Sequence, residues 1–180
     1  MEHKDTRTQG FSALRAGLCV LVSLCSFVFL LFMAGCSMSD DEEEETTERV
    51  KVGDRVPTFT LTVDNGGQVR SFSTARLTGE TVIVFFNTSC SDCQRDLPLL
   101  NDYYLKHKDE EGFQMVAISR EEGDASVAAY WEANHLQIPY FAQTDRRIYN
   151  LFATSIIPRV YFCGADGIVT RVCIEKFDVE

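Results

Sequence analysis

The chain lacks most of what a metal site would need. Protein-bound zinc takes four convergent nitrogen or sulfur ligands, commonly a second Cys-x-x-Cys or a His pair three to five residues apart. Past residue 36, the others beyond Cys90-Ser91-Asp92-Cys93 are Cys163 and Cys173, ten positions apart, and His107 and His135, on different predicted helices. Half a ligand set excludes a closed metal centre, and no cofactor motif is present. Positive charge is also scarce: 17 Lys and Arg face 27 Asp and Glu, a net charge of −10. Such a chain is repelled by nucleic acid and by anionic lipid surfaces, so neither is expected as a partner. There are no internal repeats, which excludes solenoids and propellers. Seven cysteines, two of them within the first 35 residues, are too few for a disulfide-stapled scaffold. About 130 residues remain for a fold, enough for one ordinary hydrophobic core.

What is present is a Cys-x-x-Cys in a telling context. Thr81-Val82-Ile83-Val84-Phe85-Phe86-Asn87 precedes it, an apolar run of strand length rich in β-branched and aromatic residues. Gln94 to Leu105 follows with apolar residues at helical spacing. A buried strand that breaks at Thr88-Ser89 and turns into a helix puts Cys90 at the helix N-terminus. Unpaired N–H groups and the helix dipole favour a thiolate there, and two cysteines two residues apart can close a short disulfide. The pattern is that of a redox site. Cys90, the more exposed, is expected to attack, and Cys93, one turn deeper, to resolve. Asp92 between them opposes a nearby thiolate by like charge.

Further elements follow from periodicity and turn signals. Phe59–Val63 and Gln68–Phe72 flank Asp64-Asn65-Gly66-Gly67 and predict a hairpin. Strands are expected at 81–87, 113–119 and 140–143. Helices are expected at 91–108, with a kink near Pro98, at 125–135 capped by Asp124, and at 145–153. Arg159–Cys163 and Ile168–Ile174 predict a closing hairpin through Gly164-Ala165-Asp166-Gly167. This order fits an α/β sandwich with a mixed sheet. In that hairpin Cys173 falls roughly 16 Å along the strand from the partner of Cys163, too far for a disulfide, so both are expected as small core hydrophobes. Trp131 is expected in the core, and His107 and His135 on the surface or at helix flanks.

Phe85 to Pro98 resembles the active-site segment of the thioredoxin superfamily, in the branch of membrane-tethered TlpA/ResA-type thiol–disulfide oxidoreductases, which overlaps in sequence with the AhpC/TSA-type domain. The resemblance covers about residues 51–175, taking in Val52-Gly53-Asp54-Arg55-Val56-Pro57, Ile156-Ile157-Pro158-Arg159 and Asp166-Gly167-Ile168-Val169. It implies a thioredoxin-like three-layer sandwich with a mixed central sheet and an N-terminal hairpin extension. Glu175–Glu180 alone follow the last predicted strand, so the family's final helix is expected to be short or missing, leaving one sheet face partly uncovered for a dimer mate or partner. The resemblance further implies that Pro158 is cis and lies against the active cysteines, that the Ile157 backbone pairs with substrate, and that Asp96 assists proton transfer at the buried thiol. A solvated helix carboxylate is the plain alternative for Asp96. Where thioredoxin has a buried Asp this chain has Val84, and Ser89 replaces the usual Trp.

The implied activity is thiol–disulfide exchange on disulfide-containing client proteins, with re-reduction by an upstream electron-donor thiol protein. A thiol peroxidase of the AhpC/TSA type is the alternative enzyme. Its Pro-x-x-x-Thr-x-x-Cys motif is absent, since Ile83 and Asn87 stand at those positions. A non-catalytic surface lipoprotein is the alternative of another class, and it has no need of both Cys-x-x-Cys and Pro158.

Residues 1–35 are expected to be an address. Lys4, Arg7 and Arg15 precede an uncharged stretch from Ala16 to Ser39, a secretory pattern. Met33-Ala34-Gly35-Cys36 resembles a bacterial lipoprotein signal, which implies lipidation at Cys36. An uncleaved transmembrane anchor is the alternative. Either way the rest of the chain is exported, and the lipoprotein reading puts it in the cell envelope, facing the periplasm or the cell surface. Residues 36–50 contain six consecutive acids, Asp40 to Glu45, whose mutual repulsion makes a solvated tether. They also resemble the acidic export tag of some surface lipoproteins. Residues 51–180 form the thioredoxin-like domain.

Overall fold

The computed structural model describes residues 47–64 and 69–178. The expected signal, Cys36, the acidic run and the predicted turn at 65–68 lie outside the described residues. Among the described residues no helix is long and apolar enough to cross a membrane.

The core is organised by β3 (Thr81–Phe86), in which all six residues are buried. It pairs in parallel with β4 (Gln114–Ser119) and antiparallel with β6 (Arg159–Cys163). With β5 (Tyr140–Phe141) outside β4 and β7 (Val169–Ile174) outside β6, the mixed sheet runs β5-β4-β3-β6-β7. A separate hairpin is made by β1 (Thr60–Asp64) and β2 (Val69–Ser73). The helices are α1 (Ser91–His107), α2 (Asp124–Ala133) and the short α3 (Tyr149–Phe152).

Alternation along β3 sends neighbouring side chains to opposite faces, and aromatic contacts show which helix meets which. Phe86 meets Trp131 of α2, with ring centroids 4.8 Å apart. Phe162, opposite Val82 on the same face, meets Tyr103 of α1 at 5.8 Å. Phe85 looks the other way, to Tyr149 and Phe152 of α3 at 5.4 and 4.9 Å. Phe152 in turn meets Phe59, just ahead of the hairpin, at 5.9 Å. The sheet therefore lies between α1 and α2 on one face and α3 with the hairpin on the other, the expected three-layer sandwich. Trp131 is a core residue whose Nε1–H donates to the Ile138 carbonyl at 2.9 Å.

The differences from expectation are local. Asp124 is the first residue of α2, not its cap, and Gly123 takes the cap position. Helix over 145–153 shrinks to Tyr149–Phe152 because the Asp145 carboxylate accepts from the Arg147 N–H at 2.9 Å. Such a side-chain turn competes with the helical hydrogen bonds. Thr47–Val50, assigned to the tether by sequence, are tied to the domain: the Arg49 and Val50 N–H groups both donate to Phe152, and Val50 is buried. The α1–β4 connection packs closely on the entry to β3. Gly112, at φ +80, sits so near Gly79 that a side-chain carbon on Gly79 would lie 2.6 Å from its carbonyl oxygen.

Among the described residues no helix follows β7. The sheet face is nonetheless covered beside α1. Phe177 is buried, stacks on Phe162 at 6.4 Å and meets Tyr103 edge to face at 5.9 Å. Arg171 lies over the other part of Phe162, 3.7 Å from its centroid. The exposed large hydrophobics among the described residues, Val52, Val69, Leu99 and Leu151, belong to neither β6 nor β7. Phe177 thus covers part of this face with one ring. Phe177→Ala should lower the unfolding free energy by about 2–3 kcal/mol, at or just below the usual range for a buried Phe because the terminal segment can settle into the gap. An unchanged denaturation midpoint would show that this ring does not seal the sheet.

Candidate functional site

The site starts where β3 ends. Asn87 uses both ends of its side chain: Oδ1 accepts from the Ser89 N–H at 2.9 Å and the Ser89 hydroxyl at 2.6 Å, and Nδ2 donates to the Arg120 carbonyl at 3.0 Å. Thr88 is gripped more firmly. Its N–H donates to Glu122 Oε2 at 2.7 Å, its hydroxyl bonds the other oxygen of that carboxylate, and its carbonyl accepts from Gln94 Nε2 at 2.7 Å. Glu122 is almost fully buried and also receives the Ser126 hydroxyl at 2.6 Å. The strand-to-helix turn is therefore fixed from both sides before it reaches Cys90.

Cys90 is the N-cap of α1, with extended φ and ψ of −82° and 122° and no side-chain capping bond. The thiol is thus left free at the positive end of the helix. It is partly exposed, and its Sγ–H donates to the Ile157 carbonyl at 3.6 Å. Cys93 is fully buried one turn in. Burial pushes its thiol far above the ordinary range; the Asn87 backbone and the Arg120 charge oppose this, while the hydrogen bond and charge of Cys90 add to it. The structure holds both as thiols. The Ile157–Pro158 peptide is cis, as the resemblance implies, and Pro158 immediately precedes β6. Cys90, Cys93, Ile157 and Pro158 are thereby brought to one place.

Asp96 is fully buried, which removes the reading of a solvated helix carboxylate. It shares a helix side with Cys93, and its hydrogen bonds come from two neighbours. Arg95 donates to both oxygens, at 2.7 and 3.2 Å, and the Phe177 N–H donates to Oδ2 at 2.7 Å. Arg95 also pairs with Asp92 at 2.6 Å. Asp92 is half exposed, so solvent and salt screen its charge.

The remaining candidates lie apart. Cys163 is buried, donates its thiol to the Thr81 carbonyl at 3.3 Å, and is pushed by burial up to about 11. Cys173 stands opposite Val160, whereas Cys163 stands opposite Val169, and both are free. His107 is a helix-end residue that stacks on Tyr103 at 4.3 Å and pairs with Glu110 at 2.8 Å. Exposed His135 follows α2 at φ +54. Among the described residues no three His, Cys, Asp or Glu side chains converge on a possible metal position. Sequence reasoning missed Glu122 and Arg159. A carboxylate just ahead of a helix is an ordinary dipole partner, and nothing local ties Glu122 to Thr88, 34 residues earlier.

Comparison with known proteins agrees with this geometry. The sequence model of the AhpC/TSA family matches residues 52–172. The chain belongs to the AhpC/TSA family. Within the thioredoxin superfamily it groups with the TlpA/ResA-like members. It is 24% identical over 160 residues to the thiol-disulfide oxidoreductase ResA of Bacillus subtilis (strain 168), covering 88% of this chain and 82% of that protein. The ResA of Geobacillus kaustophilus (strain HTA426) is 27% identical over 134 residues, 73% of this chain and 75% of its own. Among solved structures, a putative protein disulfide isomerase from Bacteroides thetaiotaomicron superposes with a TM-score of 0.66 at 21% identity, covering 74% and 84% of the two chains. A putative thioredoxin from Neisseria meningitidis gives 0.58 at 25%, covering 68% and 81%.

The two thiols of this AhpC/TSA chain differ sharply in access. In the reduced protein at pH 8, iodoacetamide should label Cys90 at least about tenfold faster than Cys93 or Cys163, which should react only on unfolding. Peptide mapping of the alkylated protein reads the order, and early labelling of Cys93 would contradict the burial described.

Proposed function

We propose that Cys90 and Cys93 carry the activity of this thiol–disulfide oxidoreductase, and that it reduces or exchanges disulfides of client proteins outside the cytoplasm. The observation that carries the reading is the half-exposed Cys90 thiol at the N-terminus of α1, facing the Ile157 carbonyl beside Pro158, with Cys93 buried one turn behind. Cys90, as thiolate, attacks one sulfur of the client disulfide and expels the other as a thiolate, giving a mixed disulfide. Ile157 offers its backbone to the client segment at that stage. Cys93 then loses its proton and attacks Cys90 Sγ, the client leaves with both sulfurs reduced, and Cys90–Cys93 closes. Two electrons have passed to the client, and a donor thiol protein restores them. Asp96, on the helix side of Cys93, is the proposed proton acceptor for the buried thiol.

The peroxidase alternative has no footing in the geometry. Ile83 is fully buried within β3, and the Asn87 side chain is committed to Ser89 and Arg120. Cys93→Ser should accumulate mixed disulfides with clients, whereas Cys90→Ser should accumulate almost none, because the sulfur at the helix tip is the one an incoming disulfide can meet in line. Non-reducing electrophoresis of envelope extracts shows this directly, and equal trapping by the two variants would sink the assignment.

The anchoring reading rests on Met33-Ala34-Gly35-Cys36 and places the domain in the cell envelope on a lipid-bearing Cys36. Expressed with its own signal, the protein should take up radiolabelled acyl chain, and Cys36→Ser should not. Unlabelled, soluble wild-type protein would refute the anchor without touching the redox chemistry.

A further inference from the structure

The loop Thr154–Ile157, which delivers Pro158 to Cys90, contains a backbone outlier: Ile156 has φ +71. A β-branched residue in the left-handed region persists only where its surroundings over-determine it. Those surroundings are specific. The Ile156 carbonyl accepts from the Tyr149 hydroxyl at 2.7 Å and from Arg159 Nε at 3.2 Å, and the same Nε reaches the Ser155 carbonyl at 3.1 Å. Arg146 Nη2 donates to the Thr154 carbonyl, and the Thr154 N–H donates to the Thr47 carbonyl at 2.9 Å.

Arg159 is fully buried. Its Nη2 donates to Thr47 Oγ1 at 2.9 Å, while Nη1 has no hydrogen bond and lies 3.7 Å from the Glu48 carboxylate. A buried guanidinium with an unmade hydrogen bond is costly, and a well-packed apolar side chain would stabilise a strand at least as well. Packing therefore does not account for a charge at this position. Its donors do, because they fall on the carbonyls of the loop that carries the outlier.

We propose that Arg159 is a positioning residue for client capture. By holding Ile156 left-handed it keeps the Ile157 carbonyl turned toward Cys90, and Thr47 and Glu48 complete its coordination. The point where the N-terminal segment joins the domain is thereby part of the client-binding edge. The inference rests on the exchange chemistry assigned to Cys90 above. Rotation of Ile156 to an extended φ would swing the following peptide away from the sulfur. The Cys90–Cys93 pair itself would be left intact, so capture would suffer before chemistry does.

The test is insulin reduction by the full-length protein in detergent, with dithiothreitol as donor. Arg159→Leu should raise KM for insulin about tenfold and leave kcat within about twofold. Adding Ile156→Gly, a residue for which a left-handed φ carries no steric cost, should return KM to within about twofold of wild type. Loss of core packing would not be repaired by a glycine three residues away. Should Arg159→Leu fail to fold, Thr47→Val with Tyr149→Phe removes one hydrogen bond at each end of the clamp; KM should rise about threefold and fall again with Ile156→Gly. An unchanged KM in Arg159→Leu, or no recovery with Ile156→Gly in whichever variant folds, overturns the proposal. A wild type that reduces no insulin overturns the exchange chemistry first, and this inference with it.

Discussion

Antiparallel pairing of Phe85 with Arg159 brings the site together. Because β3 and β6 run in opposite directions, the end of one meets the beginning of the other, and the two chain segments that matter leave the sheet at the same edge. β3 continues into Asn87–Cys90, and β6 is entered through Ile156–Pro158. A slip of one residue in that register would invert every side chain of β6, sending Tyr161 and Phe162 to the wrong faces. The register is held by burial: all residues of both strands are inaccessible to solvent, and Phe85 and Tyr161 pack edge to face at 6.1 Å. The chemistry of the edge thus depends on aromatic packing two or more residues inside it.

Around that edge the protein buries charge, which interiors rarely tolerate without partners. Glu122 grips Thr88 ahead of Cys90, Asp96 grips Phe177 behind Cys93, and Arg159 grips the loop before Pro158. Each of these side chains makes, besides its side-chain contacts, at least one hydrogen bond to a backbone group of a segment that has no ladder of its own. A backbone amide or carbonyl left unpaired in such a place costs about 1–3 kcal/mol. The buried ions therefore supply for irregular turns what sheet neighbours supply for strands. They also make those turns stiff, which a thiol that must meet a disulfide in line requires.

Much of this was legible in the sequence, and for identifiable reasons. The unbroken apolar run at 81–86 announced a central strand, and the break at Thr88-Ser89 placed Cys90 at the cap of α1. The closing hairpin followed from Gly164 and Gly167, and its register kept Cys163 and Cys173 apart. Local rules erred where side chains answer the backbone locally or at long range. Asp145 shortened α3 by capturing the Arg147 N–H. Phe177, in a polar tail without periodicity, gave no sign that it would stack on Phe162. Asp96 was visible as a helix carboxylate three residues past Cys93, but its burial depends on the Phe177 N–H, 81 residues away in sequence. Arg159 was the least legible, since a charge at a strand entrance ordinarily signals exposure, and here it marks the loop that must be held.

In the proposed exchange, the unequal burial of the two thiols sets the two steps apart. If Cys93 closes the disulfide by attacking Cys90, as proposed, the cost of ionising Cys93 in its apolar setting falls on the release step and not on capture. A mixed disulfide is then long-lived unless something lowers that cost when the client is bound. The Asn87 backbone and, less strongly, the Arg120 charge favour the ionised form of Cys93, and the Asn87 side chain bonds the Arg120 carbonyl and the Ser89 N–H. In the proposed exchange, the turn that would present Cys90 and the backbone group that eases ionisation of Cys93 therefore meet at one residue, Asn87. Loosening the turn would slow both halves of the exchange together.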